Sequence, residues 1–507
     1  MLARTSGSVT YVKGDPVATS DAETGNPPPQ TSHLNIKVVG ISVAAAVGGF
    51  LFGFDTAVIN GAVNALSDDF SLGSGLTGFA VSSALIGCAV GAWFAGSLSN
   101  RLGRIPVMII AGVLFFVSAI GSGLAFGVVD LIAWRVLGGL GVGAASVIAP
   151  SYIAEVAPAR YRGRLGSLQQ LAIVLGIFTA LLSNALLANI AGGSAEVLWL
   201  GIDAWRWMFM VEALPAAIYV IMALRLPESP RFLVARGQYD KASKVLFEFT
   251  GELDVNLKIE QIRTSLVRED RESIKDLLGP RLGLKPVVWV GILLSVFQQF
   301  VGINVIFYYS TTLWRSVGFD ESQALTTSTI TSVVNILATI VAILLVDKVG
   351  RRPMLLVGSA GMTVALGAMA LAFSFGQLQT AADGTQSVAL PDPWSIIALV
   401  GANAFVVFFG TTWGPLVWVL LGEMFPNKIR ASALAVAAAA QWASNFLIST
   451  TFPTMSEIGL TFAYGVYASF SLLSFVFVFA KVPETKGREL EDMDTLELNR
   501  KPRRSRS

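Results

Sequence analysis

Residues 96–106 read GSLSNRLGRIP, and residues 346–353 read VDKVGRRP. Each is a short basic loop between apolar runs. Two further pairs accompany them in the same order. EVAPARYRG (155–163) is matched by EMFPNKIRA (423–431), and PESPR (227–231) by PETKG (483–487). Arg104 and Arg351 stand 247 residues apart, Glu155 and Glu423 268, and Pro227 and Pro483 256. Three pairs in one order at nearly constant offset mark the chain as a duplication.

Outward from these loops, apolar runs of bilayer-spanning length recur, each needing about 20 residues. They lie near 36–58, 76–98, 106–126, 130–152, 165–190 and 205–225. After a polar stretch they resume near 285–311, 323–346, 354–375, 394–421, 432–453 and 459–481. The composition agrees: 53% of the 507 residues are hydrophobic and 14% charged, against about 25% charged in soluble domains. The expected fold is an all-α membrane protein of twelve transmembrane helices in two homologous six-helix halves.

Charge placement tests the count. All but Arg135, Arg206 and Arg315 of the 36 Lys and Arg residues fall on one side of a twelve-span topology. The positive-inside rule makes that side the cytoplasm, with both termini on it. Residues 1–35, rich in Ser, Thr, Gly and Pro, read as a disordered cytoplasmic tail. The halves are then 36–225 and 285–481. The polar stretch 226–284 is a cytoplasmic insert with the apolar spacing of amphipathic helices. Residues 482–507 form a second cytoplasmic tail.

Several function classes fall away. A lone cysteine, Cys88, forms no intramolecular disulfide framework, and a lone histidine, His33, leaves no His/Cys cluster for a metal or haem. Triads and thiol–imidazole pairs lose their usual base. A net charge of +2 is no nucleic-acid footprint. The expectation is a protein that is not an enzyme and carries no cofactor.

Asp55 lies mid-span among apolar residues and glycines. A carboxylate there costs about 2.5–3.5 kcal/mol on insertion scales, so it needs an interior position and a partner. Arg135, the one basic residue well inside a first-half span, is the candidate. Burial opposes the carboxylate charge and a neighbouring guanidinium favours it, which poises such a group to take up and release a proton. Glu212, after WRWM, reads as a helix anchor in preference to a pairing residue near the outer half of the membrane. Gly138, Gly139, Gly141 and Gly143 let helices approach closely.

The paired motifs, their order and the insert between the halves resemble the sugar porter family of the major facilitator superfamily. The resemblance runs over roughly 36–490 and includes QQFVGINVIFYYS (298–310). GGFLFGFDTAVINGAV (48–63) and WRVLGGLGVGAASVIAPSYIAEV (134–156) are most similar to bacterial glucose and related sugar:proton symporters. The resemblance implies a transporter that imports a monosaccharide, D-glucose first, by proton symport through alternating access. Other readings are a proton-independent facilitator, or a symporter for xylose, galactose or myo-inositol. A sugar sensor, from another class, is disfavoured by the short final tail. The implied partners are a monosaccharide, protons and the lipid bilayer, in a cell membrane, with the protein functioning as a monomer.

A sugar calls for amide side chains, which both donate and accept, and for aromatic faces. Gln170, Gln298, Gln299, Asn304, Tyr308, Asn335, Trp418, Gln441 and Trp442 supply these within spans, and the resemblance places each at a substrate-contacting or pocket-lining position. It also implies Asp55 and Arg135 as the proton-coupling pair. Arg101, Arg104, Glu155, Arg162, Arg351, Arg352, Glu423 and Arg430 would form a cytoplasmic gate, their ion pairs bridging the two halves when the inner face is shut. Asn100 stands where the family usually carries Asp, whereas the second copy keeps Asp347.

Overall fold

In lipid the backbone must satisfy its own hydrogen bonds, so each apolar run closes into a helix. The computed structural model describes residues 36–157, 162–250, 254–269, 277–279, 283–380, 386–426 and 429–485. The tail expected over 1–35 and most of that over 482–507 lie outside the described residues.

The first half comprises α1 (Ile36–Asp69), α2 (Ser74–Leu102), α3 (Arg104–Gly123), α4 (Val128–Val156), α5 (Arg162–Ala191), and a sixth span split into α6 (Ala204–Met210) and α7 (Ala213–Ala223). Three short helices follow: α8 (Pro230–Ala235), α9 (Tyr239–Val245) and α10 (Val255–Glu269). Leu233, Val234, Ala242 and Val245 form their small core, with Ile259, Ile262 and Leu266 packed on it. The second half begins with α11 (Pro286–Phe300) and α12 (Ile303–Ser316), one span broken at Gly302 (φ +84°). Next come α13 (Glu321–Val349) and α14 (Arg351–Ser374), and then α15 (Trp394–Phe408) and α16 (Gly414–Met424), joined through a π-helical turn at Phe409–Trp413. The chain closes with α17 (Arg430–Ile458) and α18 (Leu460–Lys481).

Eleven of these spans are long and apolar enough to cross a membrane among the described residues. The remaining one, α17, is 29 residues long and carries Gln441, Asn445, Ser449 and Thr450 along its middle. Two short antiparallel hairpins, β1 (Val197–Trp199) with β2 (Ile202–Asp203) and β3 (Gln377–Thr380) with β4 (Gln386–Ala389), were not legible as strands in the loops that lack basic residues. The face bearing those loops is the bare face here, and the opposite one the basic face.

Glycines set the packing within the first half. A Cβ on Gly53 of α1 would lie 1.9 Å from the Ile173 carbonyl oxygen of α5. On α4, a Cβ at Gly139 would lie 1.9 Å from the Ala84 carbonyl of α2, and one at Gly143 2.1 Å from that of Cys88. These contacts are the close approaches expected of the α4 glycines, and they leave no room for any larger residue.

Hydrogen bonds between the halves gather toward the bare face. Asn60 of α1 donates to the Phe307 carbonyl (2.8 Å) and the Ser310 hydroxyl (2.7 Å) of α12, and its Oδ1 accepts from the Thr311 amide (3.2 Å) and hydroxyl. All four hydrogen-bonding positions of this amide are therefore filled across the boundary. Thr312 donates to Asn64 (3.0 Å), Ser82 pairs with Thr450 (2.6 Å), and Ser322 donates to Asn189 (2.8 Å). The structure is that of a two-half bundle latched shut at its bare end.

Candidate functional site

Asp55 and Arg135 meet inside the first half. Arg135 Nη1 donates to Asp55 Oδ1 at 2.8 Å and to the Asp55 carbonyl at 3.3 Å. Both residues are 2% exposed, so the pair is closed to bulk solvent. Burying two charges is repaid only with good geometry and satisfied remaining lone pairs. Asp55 Oδ2 and Arg135 Nε have no partner among the described residues, so the pair is incompletely satisfied. Helix packing dictates the position: Gly138, one turn beyond Arg135, leaves space in which a Cβ would lie 2.4 Å from Ser118 Oγ and 3.7 Å from Asp55 Oδ1. The Arg135 guanidinium also lies 5.7 Å from the Phe209 ring centroid.

Glu212 departs from its reading as an anchor. It sits at the break between α6 and α7, 2% exposed, close enough for its charge to act on Asp55 and Arg135. Its Oε1 has no partner among the described residues, unlike an anchoring carboxylate. Two acids and one guanidinium thus lie near one another in the buried part of the first half. Periodicity in the sequence gave no sign of this, because α6 and α7 are too short to show a face.

Broken helices assemble the amide candidates. Asn304, at the start of α12, donates to Gln299 Oε1 at 2.5 Å, and Gln299 Nε2 reaches Gln298 Oε1 at 3.4 Å. Gln298 Nε2 ends the chain on the carbonyls of Trp413 (3.0 Å) and Gly414 (3.1 Å) at the π-helical turn. Gln298 was expected to contact substrate. In this structure its amide group meets protein partners, and it braces α11 against the break in the α15–α16 span. Gln299 and Asn304 stay at the edge of this chain with lone pairs and protons to offer. Asn304 stands two residues past Gly302, as Asp55 stands two past Gly53. The second half carries a neutral amide where the first carries a charge.

On α17, Gln441 is half-buried with Oε1 lacking a partner among the described residues, and Asn445 one turn on meets the Tyr308 side chain. Asn445 accepts from Ser449 at 3.1 Å. Asn445 escaped the sequence reading, although Gln441, Asn445 and Ser449 at spacings of four form a polar stripe that reveals it. Trp442 is 8% exposed, its ring 5.7 Å from that of Phe52 across the half–half boundary. Asn335 is buried with Oδ1 facing Gly410. Gln170 is half-buried, while its neighbour Gln169 is buried against Gly49 of α1. Trp418 is 42% exposed, and no contact shown joins it to the amide chain.

At the basic face the charged motifs pair within halves. Arg104 grips Glu155 through Nε (3.0 Å) and Nη2 (2.8 Å), and Arg351 grips Glu423 through Nε (3.1 Å) and Nη2 (2.8 Å). The half-to-half clamp is expected when the inner face is shut; in this state, latched at the bare end, these residues pair within their own halves. Arg104 opens α3 and Glu155 ends α4, neighbouring helices of one half, and the second pair repeats this on α14 and α16. The same stations recruit the PESPR and PETKG carboxylates. Glu228 accepts from the backbone amides of Arg104 (3.0 Å) and Ile105 (3.2 Å), and Glu484 from those of Arg351 (3.1 Å) and Arg352 (3.0 Å). Each carboxylate caps a helix N-terminus whose amides are otherwise unsatisfied. Ser229 donates to Glu155, and Thr485 to Glu423 at 2.6 Å.

Of the remaining gate candidates, Arg352 joins the second cluster through its backbone amide. Arg101 is exposed, its carbonyl accepting from Arg236. Arg352 Nη2 donates to the Phe479 carbonyl (2.8 Å), and Arg430 Nε to that of Phe425 (3.2 Å). The Arg162 and Asp347 side chains lie outside the described ones, and Asn100 is exposed.

Gly103 precedes α3 at φ +105°, and a Cβ there would lie 2.3 Å from Glu228 Oε2. Gly103→Ala is expected to lower stability by about 1–3 kcal/mol through backbone strain alone, with the displaced cap adding to it. Thermal unfolding in detergent measures this, and an unchanged midpoint would remove the cap from the account.

The family model described as sugar (and other) transporter matches residues 41–496. A glucose transport protein of Synechocystis sp. is 57% identical over 468 residues, 92% of this chain and 99% of that protein. The D-xylose-proton symporter of Escherichia coli K12 is 37% identical over 92% of this chain and 97% of that protein. The inward-open conformation of the xylose transporter XylE from E. coli matches with a TM-score of 0.75 at 36% identity, covering 90% of this chain and 99% of that one. With its duplicated motifs, capped helix pairs and matched length, the chain belongs to the sugar transporter family and has the twelve-helix major facilitator fold.

Proposed function

We propose that the protein imports a monosaccharide, D-glucose first, together with a proton, by alternating access of the halves 36–225 and 285–481. The observation that carries this reading is the Asp55–Arg135 pair, buried to 2% exposure in one half only. A static pair in that position is a weak source of stability, whereas a carboxylate that exchanges a proton there switches the charge of a buried helix interface. The glucose transport protein at 57% identity supports the sugar, and the xylose-proton symporter supports the coupling. Gln299, Asn304 and Gln441 offer the amides that a ring of hydroxyls requires. The basic face is the cytoplasmic one, with both termini there, and one copy suffices for transport. The arginine–carboxylate clusters hold each half rigid while the halves rock.

Labelled-glucose uptake into proteoliposomes, with and without an imposed inward proton gradient, tests the reading. Accumulation beyond equilibrium only with the gradient is the expected result. Gradient-independent equilibration would make the protein a facilitator, and competition by another sugar alone would replace the substrate. Gln441→Ala is expected to raise the KM by about threefold to tenfold, the worth of one neutral hydrogen bond, with kcat nearly unchanged. A lowered kcat at constant KM would take Gln441 out of the binding site.

A further inference from the structure

The bare end of the bundle is latched, so in this state the proton must leave toward the basic face. Asp55 and Arg135 are nevertheless each 2% exposed, shut off from the space between the halves where sugar passes.

Toward the basic face, the first half is built in layers. Along α1, α4 and α7 the layers repeat every seven residues, two helical turns or about 10 Å. The first layer holds Asp55, Gly138 and Glu212, with Ser118 of α3 against Gly138. Seven residues along each helix lie Gly48, Ala145 and Tyr219, with Gly112 of α3 beside them. A Cβ on Gly48 would be 2.9 Å from the Tyr219 hydroxyl and 3.5 Å from Ala145 Cβ, and one on Gly112 would be 3.0 Å from the Tyr219 ring. Seven residues beyond Ala145 is Tyr152, whose hydroxyl donates to the Pro227 carbonyl at 2.6 Å. Glu155 and Glu228 lie close enough to act on it electrostatically.

Four polar atoms in the first two layers have no partner among the described residues: Asp55 Oδ2, Arg135 Nε, Glu212 Oε1 and the Tyr219 hydroxyl. Tyr219 is 0% exposed. Buried polar atoms left alone are rare, and ordered water is their usual partner. Cys88 of α2 is buried close enough for the charges of the same pair to act on it.

We propose that the column is the exit path of the coupled proton, running from Asp55 and Glu212 through the Tyr219 hydroxyl to the carboxylates of the basic face. About 10 Å between layers is the length of roughly three hydrogen bonds, so two or three water molecules complete each step. Tyr219 accepts a proton on its oxygen as it gives its own to the next water. One O–H bond forms for each that breaks, and no tyrosinate accumulates. Sugar and proton then leave by separate routes, the sugar between the halves and the proton inside one of them. This inference rests on the symport reading above.

Tyr219→Phe removes one oxygen and leaves the ring against Gly48 and Gly112. In proteoliposomes, gradient-driven glucose uptake and sugar-driven acidification of a trapped pH dye are expected to slow by at least about tenfold. Counterflow exchange, which needs no net proton movement, is expected to keep the wild-type rate. Acidification at the wild-type rate would overturn the path. So would an equal fall in counterflow, because Tyr219 would then be a packing residue. Wild-type protein run in parallel separates the two readings. Failure of wild type to accumulate glucose removes the symport itself, whereas accumulation by wild type and Tyr219→Phe alike removes only the relay.

Discussion

Asp55→Asn is expected to abolish gradient-driven accumulation of sugar while sparing counterflow exchange. The amide mimics the protonated acid in shape and in hydrogen-bonding capacity, but it cannot release a proton. The carrier is then fixed in the loaded state of its coupling site and moves sugar only downhill. Removing one member of a buried ion pair usually costs about 3–5 kcal/mol, because the other charge is stranded. Here Glu212, equally buried and without a partner for Oε1 among the described residues, remains beside Arg135 to compensate its charge. The variant is therefore expected to fold. Accumulation to wild-type levels by Asp55→Asn would refute the coupling assignment, and the double variant with Glu212→Gln tests the compensation. That double variant is expected to be markedly less stable than either single one, since it leaves Arg135 with no carboxylate.

Glu155→Gln is expected to cost more stability than the matched carboxylate substitution in the second half. The change removes the charge from a two-pronged grip, and the Arg104 side chain, 10% exposed, keeps its own charge with little water to receive it. Partial exposure lowers the cost below that of a fully buried pair, to about 2–3 kcal/mol. The matched substitution Glu423→Gln is expected to cost less. Its pair with Arg351 has the same 2.8 Å contact, but the Glu423 side chain is 28% exposed against 14% for Glu155. Thermal unfolding of the two variants in one detergent compares them directly. Equal losses, or a larger loss for Glu423→Gln, would show that solvent exposure does not set the worth of these pairs.

The cap carboxylates show how far the sequence could be read. PESPR and PETKG were visible as a repeated pair, and so was their place after the sixth and twelfth spans. Their targets were not visible: Glu228 lies 124 residues from the Arg104 amide it caps, and no local periodicity links them. The arginine–carboxylate motifs carry the same lesson. Their spacing announced ion pairs, but a pair within one half and a pair between halves have the same sequence. In this state the packing of α3 on α4, and of α14 beside α16, places the pairs within one half.

Twelve spans, their duplication and the pairing of Asp55 with Arg135 were legible in the sequence alone. Each of these depends on transfer between water and lipid or on local spacing, and both act residue by residue along the chain. The breaks in the α6–α7, α11–α12 and α15–α16 spans were decided in three dimensions. So were the diversion of Gln298 to backbone carbonyls, the recruitment of Asn445, the placing of Glu212 against Asp55 and the stacking of Tyr219 beneath it. Those features depend on which helix faces which. That choice is made by glycine-sized gaps and by polar atoms seeking partners, interactions that come into being only when the helices meet.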